Sequence, residues 1–522
     1  MRVPPNSIPL VFLSASSALA AGTLEFSLES KQTSHFPSLA ERDVEGTSEA
    51  ALFTKFGSSL GQRFVVNLTV GTPPQPQSVL IDTGSSDTIF LASESFCTTK
   101  KTTSKCPGGT YNTSASSTFK TLSSGGIQAY YGEATNKSDA TTQIEADLVT
   151  DVVQTGDIVV SGVHFGVAHN STSNLLGNGE YTGLLGLSYP MAEAVKEGQP
   201  KYPTFVESLV GAGAIASRVF SLYLNEISSY GSILFGGLDT EKYTGNLTTL
   251  NLMQVTFKTG MQEVATYDLK VDGISATHED GSQEALMEPD AAPLNITTDT
   301  GTPSWYLPSD LYNKVLNISG ATNSSTVPLL PCSQISNQTS FTITISGNGT
   351  NKAQLEVPLA SLFIPAVSSD GSKIVKLGKE ELCILMVAPA GPIDRTCLFG
   401  APVMRPGYWV FDMDNGQVSI AQTRFSTTSS NVVAIEAGPH GVMDAAKQPS
   451  ALSANQTANV DGNATASVSP SFTTATSTVG QASGPQPTLL SSGAAGQMTG
   501  VTFGASLASA LMLSVTFAAF LL

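Results

Sequence analysis

Asp82 and Asp299 each open an Asp-Thr-Gly triplet, in Ile81-Asp82-Thr83-Gly84-Ser85 and in Thr298-Asp299-Thr300-Gly301-Thr302. One such triplet followed by Ser or Thr arises by chance about 0.02 times in a chain of this length at average residue usage. A single copy reads as an Asp that forms a turn. Two copies read as a pair of carboxyls. Hydrolysis of an amide without a metal or a covalent intermediate needs one group to take a proton from water and another to give one. Two carboxyls held close together supply both, because they cannot both ionise and the pair keeps one shared proton. Thr83 and Thr300 can bridge the two turns. Gly84 and Gly301 let the backbone bend tightly and bring amide N–H groups to the carboxylates. The hydroxyls of Ser85 and Thr302 can donate to the outer carboxylate oxygens.

The elements that must hold these turns are strands. From about Gln62 to Gln422 the chain is a succession of short apolar or alternating runs, among them Phe64–Val70, Ser78–Ile81, Ile158–Val160, Ser232–Phe235 and Phe341–Ile345, separated by Gly, Pro and Asn clusters. This pattern predicts an all-β body with short helices near Tyr202 to Val210 and Ser309 to Leu316. Each triplet has an echo: Leu184-Leu185-Gly186 follows the first and Leu398-Phe399-Gly400 the second, 104 and 101 positions after the Asp. Two lobes built on one plan, 62–245 and 246–425, account for the repeat. No strand pattern is read between Ala21 and Gly61, which is assigned as a propeptide.

These triplets and echoes resemble those of the pepsin-like aspartic proteases, over about 360 residues. The likeness extends to Val70-Gly71-Thr72-Pro73-Pro74-Gln75, Tyr181-Thr182-Gly183-Leu184-Leu185-Gly186-Leu187, Ser232–Asp239 and Val410-Phe411-Asp412-Met413-Asp414. With the terminal segments below, the chain looks most like the fungal yapsin-type branch. The resemblance implies a bilobal all-β fold with a cleft between two pseudo-symmetric lobes. It implies an endopeptidase in which Asp82 and Asp299 are catalytic, no cofactor or metal is needed, and polypeptide substrates and pepstatin-like inhibitors bind to a monomer. It also places Tyr131, Gly132 and Glu133 on a hairpin flap over the substrate, with Tyr131 as the flap tyrosine. Glu133 is then expected to favour Lys or Arg beside the scissile bond, with Asp87 adding to the negative field; the alternative is that both are solvated surface acids. Three positions depart from the family pattern: Ile89 stands where a tryptophan usually supports the flap tyrosine, Pro303 replaces a small hydroxyl residue, and Ala401 replaces an Asp.

The ends of the chain read as addresses. Met1 to Ala20 has an early Arg2, an apolar run and a small-x-small site at Ala18-Leu19-Ala20, which predicts a secretory signal. Residues 426–492 are rich in Ser, Thr, Ala, Gly and Pro and predict a glycosylated stalk. The apolar run from Val501 to Leu522 follows small residues and a short polar spacer; 493–522 is expected to be a glycosylphosphatidylinositol signal, with Ser492 as the attachment residue. The expected location is the extracellular face of the plasma membrane or the cell wall. Sequons at Asn67, Asn112, Asn136, Asn170, Asn246, Asn295, Asn317, Asn323, Asn337, Asn348, Asn455 and Asn463 fit that route. Among five cysteines, Cys97 and Cys106 are expected to close a short loop, and Cys332 to pair with Cys383 or Cys397. A net charge of −17, from 25 basic against 42 acidic residues, argues against nucleic acid as a partner. Two other functions fit parts of this pattern: a catalytically inactive peptide-binding module of the same fold, and a glycosylated cell-wall structural protein, which leaves the paired triplets without a role.

Overall fold

The computed structural model describes residues 24–31 (by backbone), 63–93, 108–131, 142–155, 158–171, 181–196, 198–226, 231–256, 260–288, 290–323, 327–367, 373–390 and 396–447. Strands dominate, and helices are few and short. In the first lobe β2 (Arg63–Val70) and β3 (Gln75–Asp82) form a hairpin through the turn at Gly71, whose φ of +86° suits glycine. The inward positions of β2 are apolar and buried, and Asn67 and Thr69 alternate with them. Three long strands, β5 (Lys120–Tyr131), β6 (Thr142–Thr155) and β7 (Ile158–Ser171), follow as an antiparallel meander.

The chain then does what places the first Asp. Strand β8 (Gly183–Gly186) inserts parallel to β3, pairing Gly186 with Asp82, and antiparallel to β4 (Ile89–Leu91). The second lobe repeats the device. Leu294–Thr298 runs parallel to Thr396–Phe399, which lies antiparallel to Trp305–Leu307. Both Asp residues therefore sit where a strand ends beside a parallel partner that enters much later in the sequence.

One thirteen-stranded sheet carries the first lobe and continues through β10 (Gly231–Phe235) and β9 (Val219–Tyr223) into Gly407–Asp412, Gln417–Thr423 and Tyr243–Asn251. Between β10 and β2 it includes β1 (Leu24–Lys31), antiparallel to both. This strand falls in the segment where no strand pattern was read. A separate eight-stranded sheet builds the second lobe around Leu294–Thr298. Tyr267, next to the strand Asp268–Thr277 of the second sheet, joins the two: it packs edge-on to Phe411 at 4.6 Å, and Phe411 stacks on its cross-strand partner Phe220 at 4.8 Å. The Tyr267 hydroxyl donates to the carbonyl of Leu187, immediately after Gly186, at 2.7 Å.

The helices lie near the expected places. In α1 (Phe205–Gly211) Thr204 and Glu207 form a capping box, and α2 (Ser309–Ser319) ends at Gly320 with φ of +71°. Cys332 is bonded to Cys383, and Cys397 is a buried thiol. Burial pushes the Cys397 thiol up, so it stays protonated. Cys97 and Cys106 lie outside the described residues. So do Asn136, Asn455, Asn463, Ser492, the signal and anchor segments and the stalk beyond residue 447; for Asn170 only the backbone is described. Residues 426–447, expected to begin the stalk, are folded instead: Val432–Ala434 pairs antiparallel with Gly237–Asp239, Gly441–Ala446 is a short helix, and Ile435, Val442 and Ala445 are buried in an apolar cluster. Seven described sequon asparagines, Asn112, Asn246, Asn295, Asn317, Asn323, Asn337 and Asn348, are exposed. Asn67 is half-buried and accepts a hydrogen bond from Ser78.

Candidate active site

The two Asp-Thr-Gly turns meet face to face. The Thr83 N–H donates to Thr300 Oγ1 at 3.0 Å and the Thr300 N–H donates to Thr83 Oγ1 at 3.1 Å. Each threonine hydroxyl then donates onward, Thr83 to the Thr298 carbonyl at 2.8 Å and Thr300 to the Ile81 carbonyl at 2.9 Å. Four hydrogen bonds thus tie residues more than 200 positions apart, with every partner buried. In such surroundings an unmade bond leaves a costly orphan group, so the arrangement is held rigidly.

The carboxyl groups are dressed alike. Asp82 Oδ1 accepts from the Gly84 N–H at 2.9 Å and Oδ2 from the Ser85 hydroxyl at 2.5 Å. Asp299 Oδ1 accepts from the Gly301 N–H at 2.8 Å, and Oδ2 accepts from the Thr302 hydroxyl. Exposure is 3% for Asp82 and 0% for Asp299. The inner oxygens converge on Gly301: a Cβ there would stand 2.6 Å from Asp82 Oδ1 and 3.1 Å from Asp299 Oδ1. Burial, then the charge of Asp82 and a hydrogen bond with it, raise the Asp299 carboxyl well above the usual carboxylate range; the Thr302 and Gly301 donors pull it back in part. A proton is therefore retained by the pair where an isolated aspartate would have lost it. Such a site can take a proton from a water molecule with one carboxylate while the other carboxyl delivers one.

The echoing glycines are explained by close backbone approach. A Cβ on Gly186 would meet the backbone of Ser86 and Asp87 at 2.4 to 2.7 Å, and one on Gly400 would meet the carbonyls of Ser304 and Thr302 at 2.3 and 2.5 Å. Each loop that follows an Asp-Thr-Gly crosses directly over its glycine. Amides just beyond them bind the same turn position in each lobe: the Ser188 N–H, two residues past Gly186, donates to the Ser85 carbonyl at 3.0 Å, and the Ala401 N–H, one residue past Gly400, donates to the Thr302 carbonyl at 2.9 Å. Pro303 and Ala401 leave this plan intact. Ala401 opens α3 (Ala401–Met404), with Pro402 in the first turn, where a missing N–H costs nothing. The loops differ at one point. Ser86 donates to the Tyr189 carbonyl at 2.5 Å, and Pro303, its counterpart, has no donor to offer.

Tyr131 ends β5 opposite Thr142 on β6, at the base of a hairpin whose tip, with Gly132 and Glu133, lies outside the described residues. Its side chain is buried, and burial followed by the charges of Asp87 and Asp82 raises its hydroxyl well above the usual tyrosine range, so it stays protonated. Asp87 is 1% exposed, which excludes its reading as a solvated surface acid. It accepts from the Tyr202 hydroxyl at 2.5 Å and from the Ala194 N–H at 2.8 Å. Nearby, Glu193 is buried and accepts from the Tyr202 N–H at 3.1 Å. Tyr202, Glu193 and Tyr267 were missed in the sequence. Tyr202 lies 115 positions from Asp87, and no motif joins them.

The family of eukaryotic aspartyl proteases matches residues 63–423. Similar proteins are a probable aspartic-type endopeptidase OPSB of Arthroderma benhamiae, 33% identical over 408 residues and 76% of each chain, and aspartic proteinase 3 of Saccharomyces cerevisiae, 26% identical over 79% of this chain and 80% of the yeast protein. Aspartic proteinase yapsin-3 of the same yeast is 29% identical over 72% of this chain and 68% of its own. The fold and paired Asp-Thr-Gly loops are those of a bilobal, pepsin-like aspartic protease. The chain belongs to the eukaryotic aspartyl protease family, and it is an aspartic endopeptidase acting on polypeptides.

Proposed function

We propose that Asp82 and Asp299 together activate one water molecule for attack on a peptide carbonyl, and that they do so in acid. The supporting observation is the convergence of the two inner carboxylate oxygens at Gly301, with Asp299 raised by burial and by Asp82. In the working state the pair carries one proton. The ionised carboxyl takes a proton from the water as its oxygen bonds to the carbonyl carbon, while the protonated one gives its proton to the carbonyl oxygen. The resulting tetrahedral diol collapses as the C–N bond breaks. A proton passes to the leaving amine, and the pair again holds one. The apparent pKa values belong to the pair, so neither residue is a fixed acid or base. As pH rises through the upper folded-state value, the second proton-binding site empties and the donor is lost.

An extended peptide lies in the cleft beneath Tyr131, which shields the scissile bond from bulk water. Glu133 favours Lys or Arg next to that bond by a charge-assisted contact. The signal, stalk and anchor segments direct the enzyme through the secretory pathway to the outer face of the plasma membrane or the wall, where secretory and surface proteins are its substrates. Incubation of the secreted, propeptide-free ectodomain with a peptide library at about pH 4 and about pH 7 tests this. Pepstatin-sensitive cleavage at the lower pH, enriched at basic residues, is expected. Absence of cleavage at any pH would favour an inactive peptide-binding module, and an unchanged Lys-to-Leu cleavage ratio in Glu133→Gln would remove the role given to Glu133.

A further inference from the structure

Position 89 carries an isoleucine, fully buried in one apolar cluster with Tyr131, Ile127, Tyr181 and Tyr202. Ile89 has no polar atom with which to steer a flap tyrosine. Besides the interaction of the Tyr131 hydroxyl with Ser85, a relay that starts two residues before Ile89 links the flap strand to the catalytic loop. Asp87 stands five positions after Asp82 on the same loop, and its Oδ2 accepts from the Ala194 N–H at 2.8 Å. The Ala194 carbonyl accepts from the Gln128 N–H on β5 at 2.8 Å, Ile127 and Val195 form an antiparallel bridge, and the Lys196 N–H donates to the Gly126 carbonyl at 2.8 Å. Residues 194–196 thus lie along the root of β5 as an added strand. Tyr131 is three residues beyond Gln128 on that strand, and Ile127, Ala129 and Tyr131 all face inward.

The other oxygen of Asp87 is held independently. Tyr202 donates its hydroxyl to Oδ1 at 2.5 Å, and its ring stacks on His164 with centroids 5.9 Å apart and planes 15° apart. With both oxygens occupied, the carboxylate has one orientation. Gly186 lies close against the backbone of Asp87, where a Cβ would stand 2.6 Å from its N and 2.7 Å from its carbonyl oxygen. We propose that Asp87 is a positioning residue that ties the flap strand to the catalytic loop through Ala194, with the Tyr202 hydroxyl as the pin that fixes its carboxylate. The role rests on the catalytic assignment of Asp82 and Asp299 made above.

The test uses the secreted ectodomain with Tyr202→Phe, which removes one oxygen and keeps the ring, and Asp87→Ala, which removes both acceptors. kcat and KM are measured on a cleaved peptide, together with hydrogen exchange at the amides of Gln128 to Tyr131. For Tyr202→Phe we expect kcat/KM to fall about tenfold, as small misplacement at a closing lid does. Exchange at the β5 amides should rise while that of β9 is unchanged. Asp87→Ala should show the same pattern, larger in size. A folded Tyr202→Phe with kcat/KM within about twofold of wild type overturns the proposal, even if its melting temperature falls, because that is a purely structural effect. Should Tyr202→Phe not fold, Asp87→Ala decides by the same two readouts. Wild-type protein that cleaves nothing would instead defeat the catalytic assignment, so the two failures are distinguishable.

Discussion

The backbone amides of Thr83 and Thr300 each donate to the other's hydroxyl, at 3.0 and 3.1 Å, across the junction of the two lobes. Because each hydroxyl also donates to a carbonyl of the opposite lobe, neither loop can move without breaking its partner's bonds. The relationship is reciprocal, and the separation of the two carboxyls is set by it. Thr83→Val keeps the shape but removes an acceptor and a donor, leaving the Thr300 N–H and the Thr298 carbonyl buried without their partner. A loss of about 2–4 kcal/mol in chemical denaturation is expected, with a fall in kcat. Thr300→Val should behave alike, by the pseudo-symmetry of the bonds.

Gly301 should tolerate no side chain. A Cβ there would stand 2.6 Å from Asp82 Oδ1 and 2.9 Å from its Cγ, so Gly301→Ala must push one carboxyl aside. A drop of about 100-fold in kcat is expected from so small a displacement. Gly211, the last residue of α1, has nothing within 4 Å of the equivalent position. Gly211→Ala should leave kcat unchanged and add up to about 1 kcal/mol of stability.

How much of this was legible in the sequence follows from what kind of contact each feature makes. The Asp-Thr-Gly loops and the echoing Gly186 and Gly400 are local backbone requirements. A turn that brings amides to its own carboxylate, and a glycine crossed at under 3 Å, leave fixed residue types behind. The β1 strand was also there to be seen, since Leu24, Phe26 and Leu28 alternate with Glu25, Ser27 and Glu29, yet its place between β10 and β2 is a long-range pairing. The choice of Cys383 over Cys397 for Cys332 needed the fold, because Cys383 faces Leu330 across a strand pair while Cys397 is enclosed in the core. The Asp87–Tyr202 contact depends on a fold that closes across 115 positions, and a lone tyrosine carries no sign of it.

Glu193 should make stability depend on pH. Burial, reinforced by Asp87 and Glu207 and opposed by the Tyr202 N–H and Lys201, raises its carboxyl from 4.5 to about 8. The folded state therefore holds a proton that the unfolded chain has released, and the slope of stability against pH is negative between those values. The stabilisation is fully present below the unfolded value and is lost as pH rises through about 8. Thermal melts should accordingly show a midpoint that falls from acid to mildly alkaline pH, and Glu193→Gln, which cannot ionise, should flatten that fall. A slope identical to wild type would contradict the assignment.

Arg405 presents the opposite case, a buried cation. It is 2% exposed, and its Nε, Nη1 and Nη2 have no partner among the described residues; burial lowers its pKa to about 9. Ala401, whose carbonyl accepts the Arg405 N–H, occupies the position where an aspartate could have supplied a carboxylate. A lone buried charge is costly, so Arg405→Met should be neutral or stabilising by up to about 4 kcal/mol. A melting midpoint clearly below wild type would show that the guanidinium has a compensating partner.

The central claim is that Asp82 and Asp299 act as one acid–base unit. It is tested most directly by steady-state cleavage of a library-derived peptide at acid pH by wild type, Asp82→Asn and Asp299→Asn, each with the melting curve of a folded protein. Either substitution should reduce kcat by about 1,000-fold or more. A folded Asp299→Asn or Asp82→Asn that keeps more than about a tenth of wild-type kcat would contradict it.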